Sequence, residues 1–146
     1  MKDSINIVSR LIDKLQGDFL EIINFKPQFN VYKLKEGQYN ANCYKRGFTF
    51  NFDLLFNAGE SLPYIFIIKL EVSPKGEGRG TLLMEHFKLR IKEEVFFNKI
   101  YISSLNQRTD HFWSRLGFNH IAAEDHHVFK NYTCNPNMVC CLIKSD

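Results

Sequence analysis

The feature that most constrains the fold of this chain is a strand-like run, a glycine-rich stretch and a helix-like run that follow one another directly. The apolar segment "PYIFIIKLEV" ends at Val72, "SPKGEGRG" follows, and "TLLMEHFKLRI" begins at Thr81. A long, mostly apolar run of this composition is typical of a strand buried inside a sheet. The later segment carries apolar residues at helical spacing: Leu83, Met84, Phe87 and Ile91. A strand that leads into a helix through glycines indicates an α/β chain.

The flanking segments predict the other elements. Apolar spacing predicts a first helix that ends at Gly17, and "DFLEIINF" predicts a second, short helix before Pro27. Alternating residues between 29 and 56 predict antiparallel strands, with Phe48, Phe50 and Phe52 on one face. "KIYISSL", "FNHIAA" and "NMVCCLI" predict further strands, and "RTDHFWSRL" predicts a short helix closed by a glycine. We predict one domain, residues 1–146, of the α/β (α+β) class. Its mixed, mostly antiparallel sheet has six to seven strands, with helices on both faces.

Composition limits the compartment and the partners. The 146 residues are 45% hydrophobic with a formal net charge of +3, which is too mild to predict a nucleic-acid partner. No apolar run reaches the roughly 18–20 residues of a membrane helix, and no signal-peptide core is present, so a cytoplasmic protein without a membrane partner is expected. The cysteines lack metal-site spacing and are expected to be small buried hydrophobes, with no metal predicted: Cys43, Cys134, Cys140 and Cys141. The adjacent pair 140–141 should point to opposite faces of a strand.

The glycines of "KGEGRG" favour close approach of an anion to the main chain. Gly76, Gly78 and Gly80 let successive N–H groups turn inward, and the following helix adds the positive end of its dipole. Lys75 and Arg79 add positive charge, and a pyrophosphate would fit such a cradle. The alternative is a flexible, solvated turn. The Walker pattern and the dinucleotide-binding G-x-G-x-x-G pattern both fail to match.

A second segment, "NQRTDHFWSRLGF", lies one helix and one strand downstream. The two segments, in this order, resemble the two cofactor motifs of the GNAT superfamily of N-acetyltransferases. In the second motif, the residues that fall in register are Asn106, Phe112, Arg115, Gly117 and Phe118. Thr109 takes the family's alanine position and Trp113 its tyrosine position. In the first, Lys75 takes the Arg/Gln position and the three glycines of the cradle align. An ungapped alignment would instead place Glu77 at the Arg/Gln position and Leu82 at the last glycine.

The resemblance implies a GNAT fold and an acyl-CoA-dependent N-acyltransferase that moves acetyl from acetyl-CoA to a primary amine by direct attack. The acceptor would be a small-molecule or peptide amine, and a homodimer is left open. Acetyl-CoA would lie between two strands that splay apart. The implied cofactor-binding residues are Leu70, Val72, Lys75, Gly76, Gly78, Arg79, Gly80, Thr81, Asn106 and Trp113. For Asn106 the alternative is a helix cap, and for Trp113 it is a place in the core.

Glu71 is the candidate general base, because it ends an apolar strand beside the proposed thioester, where burial would let it hold a proton near neutral pH. In an unbroken strand it would share a face with Lys69 and Ile67; the alternative is an ion pair with Lys69 or Lys75. His120 is an alternative base. Trp113 cannot supply the acid of the family's tyrosine. The candidates to replace it are Ser103 or Ser104, Tyr132 and water.

Two other functions stay open at this stage. A tryptophan at the tyrosine position is compatible with a non-catalytic GNAT-fold module that binds CoA or a protein partner. Basic residues on the early strands are compatible with a nucleic-acid-directed modifier or binder: Lys33, Lys45 and Arg46. The segment "EDHH", residues 124–127, is expected to be a polar loop, since adjacent histidines do not easily share one metal ion.

Overall fold

The computed structural model describes residues 4–56, 63–73, 78–94, 97–104, 106–122 and 136–142. The three helices are α1 (Ser4–Ile23), α2 (Arg79–Glu93) and α3 (Gln107–Arg115). The first four strands are β1 (Asn30–Lys35), β2 (Gln38–Lys45), β3 (Phe48–Leu55) and β4 (Tyr64–Val72). The last three are β5 (Lys99–Ile102), β6 (Asn119–His120) and β7 (Met138–Cys141).

The seven strands form one sheet in the order β1-β2-β3-β4-β5-β7-β6. Every neighbouring pair is antiparallel except β4 and β5, which are parallel and are connected through α2. A helical crossover is what a parallel pair requires, since a tight turn can only reverse the chain. The apolar run 64–72 is the central strand, as predicted, and the predicted mixed, mostly antiparallel sheet is confirmed.

The main core lies between the sheet and the helices. Phe48, Phe50 and Phe52 of β3 are fully buried, and the Phe87 ring of α2 lies 5.0 Å, centroid to centroid, from the rings of both Phe50 and Phe52. Buried residues of all three described helices belong to this one cluster. We call the sheet surface that carries it the helix face and the other surface the opposite face. The sequence predicts helices on both faces; in the described residues, all three pack on the helix face.

The opposite face has a smaller buried cluster that contains no residue of a described helix: Leu55, Tyr64, Phe66, Tyr101 and Ile121. The alternation of β4 and β5 between the two clusters places Ile65 and Ile67 on the helix face and Phe66 on the opposite face. Since side chains alternate along a strand, both surfaces of the central strands are covered, which explains their nearly continuous apolar composition.

Helix α1 continues through Gly17, so the predicted break into two helices is wrong. Buried residues recur at helical spacing on both sides of the glycine, from Leu11 and Leu15 to Phe19 and Ile23. Burying this continuous stripe outweighs the cost of about 1 kcal/mol for a glycine inside a helix. Gly17 itself is exposed, and an added Cβ would meet nothing within 4 Å.

Ion pairs between α1 and α2 fix the position of α2. The Arg90 guanidinium donates two hydrogen bonds to the Asp18 carboxylate, at 2.6 and 2.9 Å, and Arg10 binds Glu94 at 2.6 Å. The hydrogen bond from Arg90 lowers the pKa of Asp18 despite partial burial. These contacts hold the C-terminal end of α2 against α1, and the buried residues of α2 hold the helix against the sheet.

The cysteines partly follow expectation. Cys43 and Cys140 are buried, and burial raises the pKa of both thiols, whereas Cys141 is exposed. The prediction that Cys140 and Cys141 point to opposite faces is therefore confirmed. The prediction that every cysteine is buried is wrong for Cys141. Cys134 and the segment 124–127 lie outside the described residues. Within the described ranges there is no cluster of potential metal ligands, and no helix is long and apolar enough to cross a membrane.

Candidate functional site

The central feature of the site is the point at which the pairing of β4 with β5 ends. The two strands pair from Tyr64–Lys99 to Ile67–Ile102, and no further pair joins them in the described residues. β4 nevertheless continues to Val72, still paired with β3. Among the described residues, no strand pairs with this edge of β4 from residue 68 to residue 72, and an edge of this kind can take up an added strand-like ligand. We call the space beside it the opening. This is the place at which the resemblance implies that the two strands splay apart.

A β-bulge at Ile68 decides which way the end of β4 faces. Asn51 of β3 pairs with Lys69 and Phe52 pairs with Ile67, so Ile68 is the extra residue, and it is exposed. A bulge reverses the alternation of side chains beyond it. The side chains of Leu70 and Val72 consequently lie on the helix face, in contact with the main core.

Glu71 lies on the opposite face with Lys69, not on the face of Ile67. An unbroken strand would place Glu71 on the same face as both Lys69 and Ile67. The bulge leaves only Lys69 on that face. The expected burial of Glu71 is wrong: its side chain is 56% exposed, and Glu71 Oε1 lies 3.7 Å from Lys69 Nζ. The bulge is the physical reason, because it turns the carboxylate away from the helix-covered core. The ion pair that the sequence left as an alternative is the observed contact.

The N-terminus of α2 lies beside this opening. Gly78 is the N-cap residue, with φ of +77°, and no side chain in the described part of the chain caps the helix. A left-handed conformation at this point suits glycine and few other residues. The carbonyl of Gly78 accepts a bond from Leu82 N–H. In any α-helix, the N–H groups of the first turn point out of the N-terminus and can bind an anion. Lys75 and Gly76 lie outside the described residues.

Gly80 also marks a close approach between α2 and α3. A Cβ built at Gly80 would lie 3.5 Å from Cζ of the Phe112 ring, which is ordinary van der Waals contact. Arg79 Nη1 donates to the carbonyl of Ser73 at 3.3 Å, and so connects the start of α2 to the end of β4. The cradle is therefore supported by α3 on one side and by β4 on the other.

Asn106 and Trp113 are both occupied structurally. Asn106 caps α3, its Oδ1 accepting from Thr109 N–H at 3.1 Å in a reciprocal capping box. Trp113 is buried in the main core, with its ring centroid 5.0 Å from that of Phe112 and 5.1 Å from that of Phe118. The cap and the core position that the sequence left as alternatives are observed.

Asn137 is a site residue that the sequence analysis missed. Its side chain accepts from Ser104 N–H at 2.8 Å and donates to the Ser104 carbonyl at 2.7 Å, a two-point clamp on the chain just beyond β5. This clamp holds Ser104, which follows β5; we call this part of the chain the far wall of the opening. Ser104 Oγ is buried and lies 2.7 Å from Thr109 Oγ1. The available signal was a lone asparagine between a proline and an apolar strand.

The remaining candidate residues lie either away from the opening or outside the described residues. His120 is exposed on β6, three strands away from β4, with its Nε2 3.6 Å from Asp110 Oδ2. It therefore does not line the opening. Tyr132 lies outside the described residues, so its candidacy as the acid stays a prediction.

Comparison with other proteins supports the fold. No protein-family model matches the sequence, and no curated protein matches it as a relative. Among solved structures, GCN5 of Tetrahymena matches with a TM-score of 0.53 at 15% identity, over 97% of this chain and 85% of that one. An acetyltransferase of the GNAT family from Staphylococcus aureus Mu50 matches with a TM-score of 0.51 at 14% identity, over 92% of each chain. The AtaT–AtaR complex bound to DNA matches at 0.50 and 15%, over 73% and 69%. This chain has the GNAT fold.

Proposed function

We propose that this protein is an acetyl-CoA-dependent N-acetyltransferase that acts on a primary amine. The observation that carries the proposal is the edge of β4 from residue 68 to residue 72, which pairs with no strand in the described residues and lies beside the N-terminus of α2, where Arg79 contacts the carbonyl of Ser73. The strand edge suits the amide-containing arm of CoA, and the helix terminus suits its pyrophosphate. The two features are adjacent because Arg79 follows β4 within a few residues.

The cofactor contacts follow from this arrangement. Leu70 and Val72 would offer main-chain groups along the opening. The first-turn N–H groups of α2 would hold the pyrophosphate, with Lys75 and Gly76 completing the cradle. Asn106 would contact the pantetheine arm only through groups that its capping bonds leave available, and Trp113 would support the wall from the core.

The transfer itself is a direct displacement. The neutral amine nitrogen attacks the thioester carbonyl carbon, the C–S bond breaks, and CoA leaves as a thiol after taking a proton. Glu71, exposed at the opening beside Lys69, would accept the proton of the ammonium, directly or through water. Ser104 and Tyr132 stay the candidates for proton donation to the thiolate, with water as the alternative.

Binding is tested by isothermal titration of acetyl-CoA into the wild type and into two double variants. Gly78→Asp/Gly80→Asp places two carboxylates in the cradle, and Gly78→Asn/Gly80→Asn supplies nearly the same shape without charge. We expect the aspartate pair to weaken binding at least tenfold more than the asparagine pair. Gly17→Asp, which adds a single carboxylate at an exposed position of α1, should bind like the wild type. Equal losses in both double variants would mean that the cradle does not hold an anion.

Catalysis is tested separately by following thiol release from acetyl-CoA with a panel of primary amines. Glu71→Gln should reduce turnover while acetyl-CoA binding is retained, and Glu85→Gln, an exposed glutamate on α2, should do neither. Tight acetyl-CoA binding without release from any amine would instead favour the non-catalytic module.

A further inference from the structure

The opposite face of β2 and β3 carries a connected cluster of amide, hydroxyl and carboxylate side chains that the mechanism above does not use. We call it the amide cluster, and its members are Asn40, Asn42, Tyr44, Asn51 and Asp53. It differs sharply from the helix face of the same two strands, where the phenylalanines of β3 and the alternate residues of β2 are buried in the main core.

The amide cluster is organised around a buried carboxylate. Asn40 Nδ2 donates to Asp53 Oδ1 and to Asn51 Oδ1, at 2.7 Å each, and Asn40 Oδ1 accepts from Asn42 Nδ2 at 2.7 Å. Asp53 is only 6% exposed; burial raises the pKa of its carboxyl, and hydrogen bonds from Asn40 and Gln38 oppose that shift. Because Asp53 fixes the orientation of Asn40, and Asn40 fixes its neighbours, the outer amides are held in one orientation.

The outer members still have hydrogen-bonding capacity. Asn51 Nδ2 donates to Tyr44 Oη at 2.7 Å, which leaves the Tyr44 hydroxyl proton directed elsewhere, and Tyr44 is 58% exposed. Asn42 is half-buried, and among the described residues its Oδ1 accepts no hydrogen bond. Asn42 and Tyr44 together therefore present an acceptor and donors, in fixed positions, to a ligand on this face.

The strand register brings the amide cluster next to Glu71. Tyr44 is opposite Thr49, and Thr49 is opposite Glu71; one step along, Asn42 is opposite Asn51, and Asn51 is opposite Lys69. Strands lie about 4.8 Å apart, so the backbone at Asn42 and Tyr44 is about 10 Å from that of β4, and the side chains on the two strands shorten the gap that a ligand has to span. The proposed cradle is at α2 on the helix face, so the opposite face is the side from which an acceptor can approach Glu71.

We infer that the amide cluster recognises the body of the acceptor, and that this body is an uncharged, hydroxyl-rich ring or chain bearing the amine, as in an amino sugar. The inference rests on the proposed function and names the substrate class of that same site. A hydroxyl is both a donor and an acceptor, which matches the paired capacities of Asn42 and Tyr44. On the opposite face of β2, β3 and β4, the described charged residues are the paired Lys69 and Glu71 and the buried Asp53, so no free charge selects an ionic body.

The test compares two amines that share a six-membered ring, glucosamine with hydroxyls and cyclohexylamine without them. The ratio of their kcat/KM values is measured for the wild type, Asn42→Leu/Tyr44→Phe, Tyr44→Phe alone and Asn119→Leu. Asn119 is an exposed asparagine on the opposite face of β6, at the far edge of the sheet, and serves as the matched control. Differences in basicity between the two amines cancel when the ratio is compared across proteins.

We expect the preference for glucosamine to fall about tenfold or more in the double variant, partly in Tyr44→Phe, and not at all in Asn119→Leu, with acetyl-CoA affinity unchanged throughout. Since Tyr44 is exposed, the single variant keeps the test valid if the double variant does not fold. An unchanged ratio, or acetyl-CoA binding without turnover of glucosamine, overturns the inference and leaves the cofactor site intact. If the wild type does not bind acetyl-CoA, the proposed function is overturned, and the inference with it.

Discussion

Replacing Asn137 by aspartate gives a sharp test of the clamp on the far wall of the opening. The amide of Asn137 both accepts from and donates to the backbone of Ser104, at 2.8 and 2.7 Å. An ionised carboxylate keeps the acceptor, loses the donor and places a negative charge against the Ser104 carbonyl. Leaving such a group unsatisfied costs about 1–3 kcal/mol, so we expect Asn137→Asp to lower the free energy of unfolding by about 2 kcal/mol at pH 7.5.

The same variant should recover in acid. A protonated carboxyl can again donate to the Ser104 carbonyl, so folding favours the protonated form and raises the pKa of the new carboxyl above its unfolded value of about 3.9. For an acid whose pKa is raised by folding, stability is present at low pH and is lost as pH rises through the folded pKa. A preference of 2 kcal/mol implies that about 1 kcal/mol of the deficit is regained between pH 7.5 and pH 4.5.

Urea unfolding followed by circular dichroism, for wild type and variant at both pH values, measures the two deficits directly. Asn119→Asp introduces the same charge at an exposed position and should show a small deficit, within about 0.5 kcal/mol at each pH. A deficit for Asn137→Asp that is independent of pH, or that grows in acid, would refute the two-point clamp.

Two further predictions concern the packing of the helices. Phe87→Ala removes a fully buried ring that contacts Phe50 and Phe52, and should lower the free energy of unfolding, measured in urea, by about 3–5 kcal/mol. Leu89 is 59% exposed on the same helix, so Leu89→Ala should lower it by less than about 0.5 kcal/mol. Similar losses for the two variants would contradict the assigned helix face. Gly17→Ala should raise the free energy of unfolding by about 0.5–1 kcal/mol, because α1 is helical through this exposed position and the new methyl group meets nothing; a loss of stability would mean that the helix breaks there.

Sequence patterns predicted the elements that repeat over several residues. The central strand 64–72, the helix after the glycines and the alternating phenylalanines of β3 each carry a signal along their whole length. Gly17 misled the interpretation because a stop signal at one residue was weighed against an apolar stripe that continues on both sides of it. The free energy gained by burying the apolar stripe outweighed the low helix propensity of one glycine.

The orientation of Glu71 could not be predicted, because it depends on a single inserted residue. "FIIKLEV" reads as an unbroken strand, and only the pairing with β3 reveals that Ile68 is extra. A bulge is set by the partner strand as much as by its own sequence. The same limit applies to Asn137, whose function depends on contact with Ser104, 33 positions away in the chain.

The position of β7 has a consequence for how the protein is made on the ribosome. β7 follows every other strand in the chain, yet it lies inside the sheet between β5 and β6, and the clamp residue immediately precedes it. The hairpins of β1 to β4 can assemble as soon as they emerge. β6 has no partner until β7 arrives, and the wall beyond β5 has no clamp. While residues 136–142 are still inside the ribosome, the nascent chain therefore holds most of the described sheet, and the proposed site is complete only after β7 is in place.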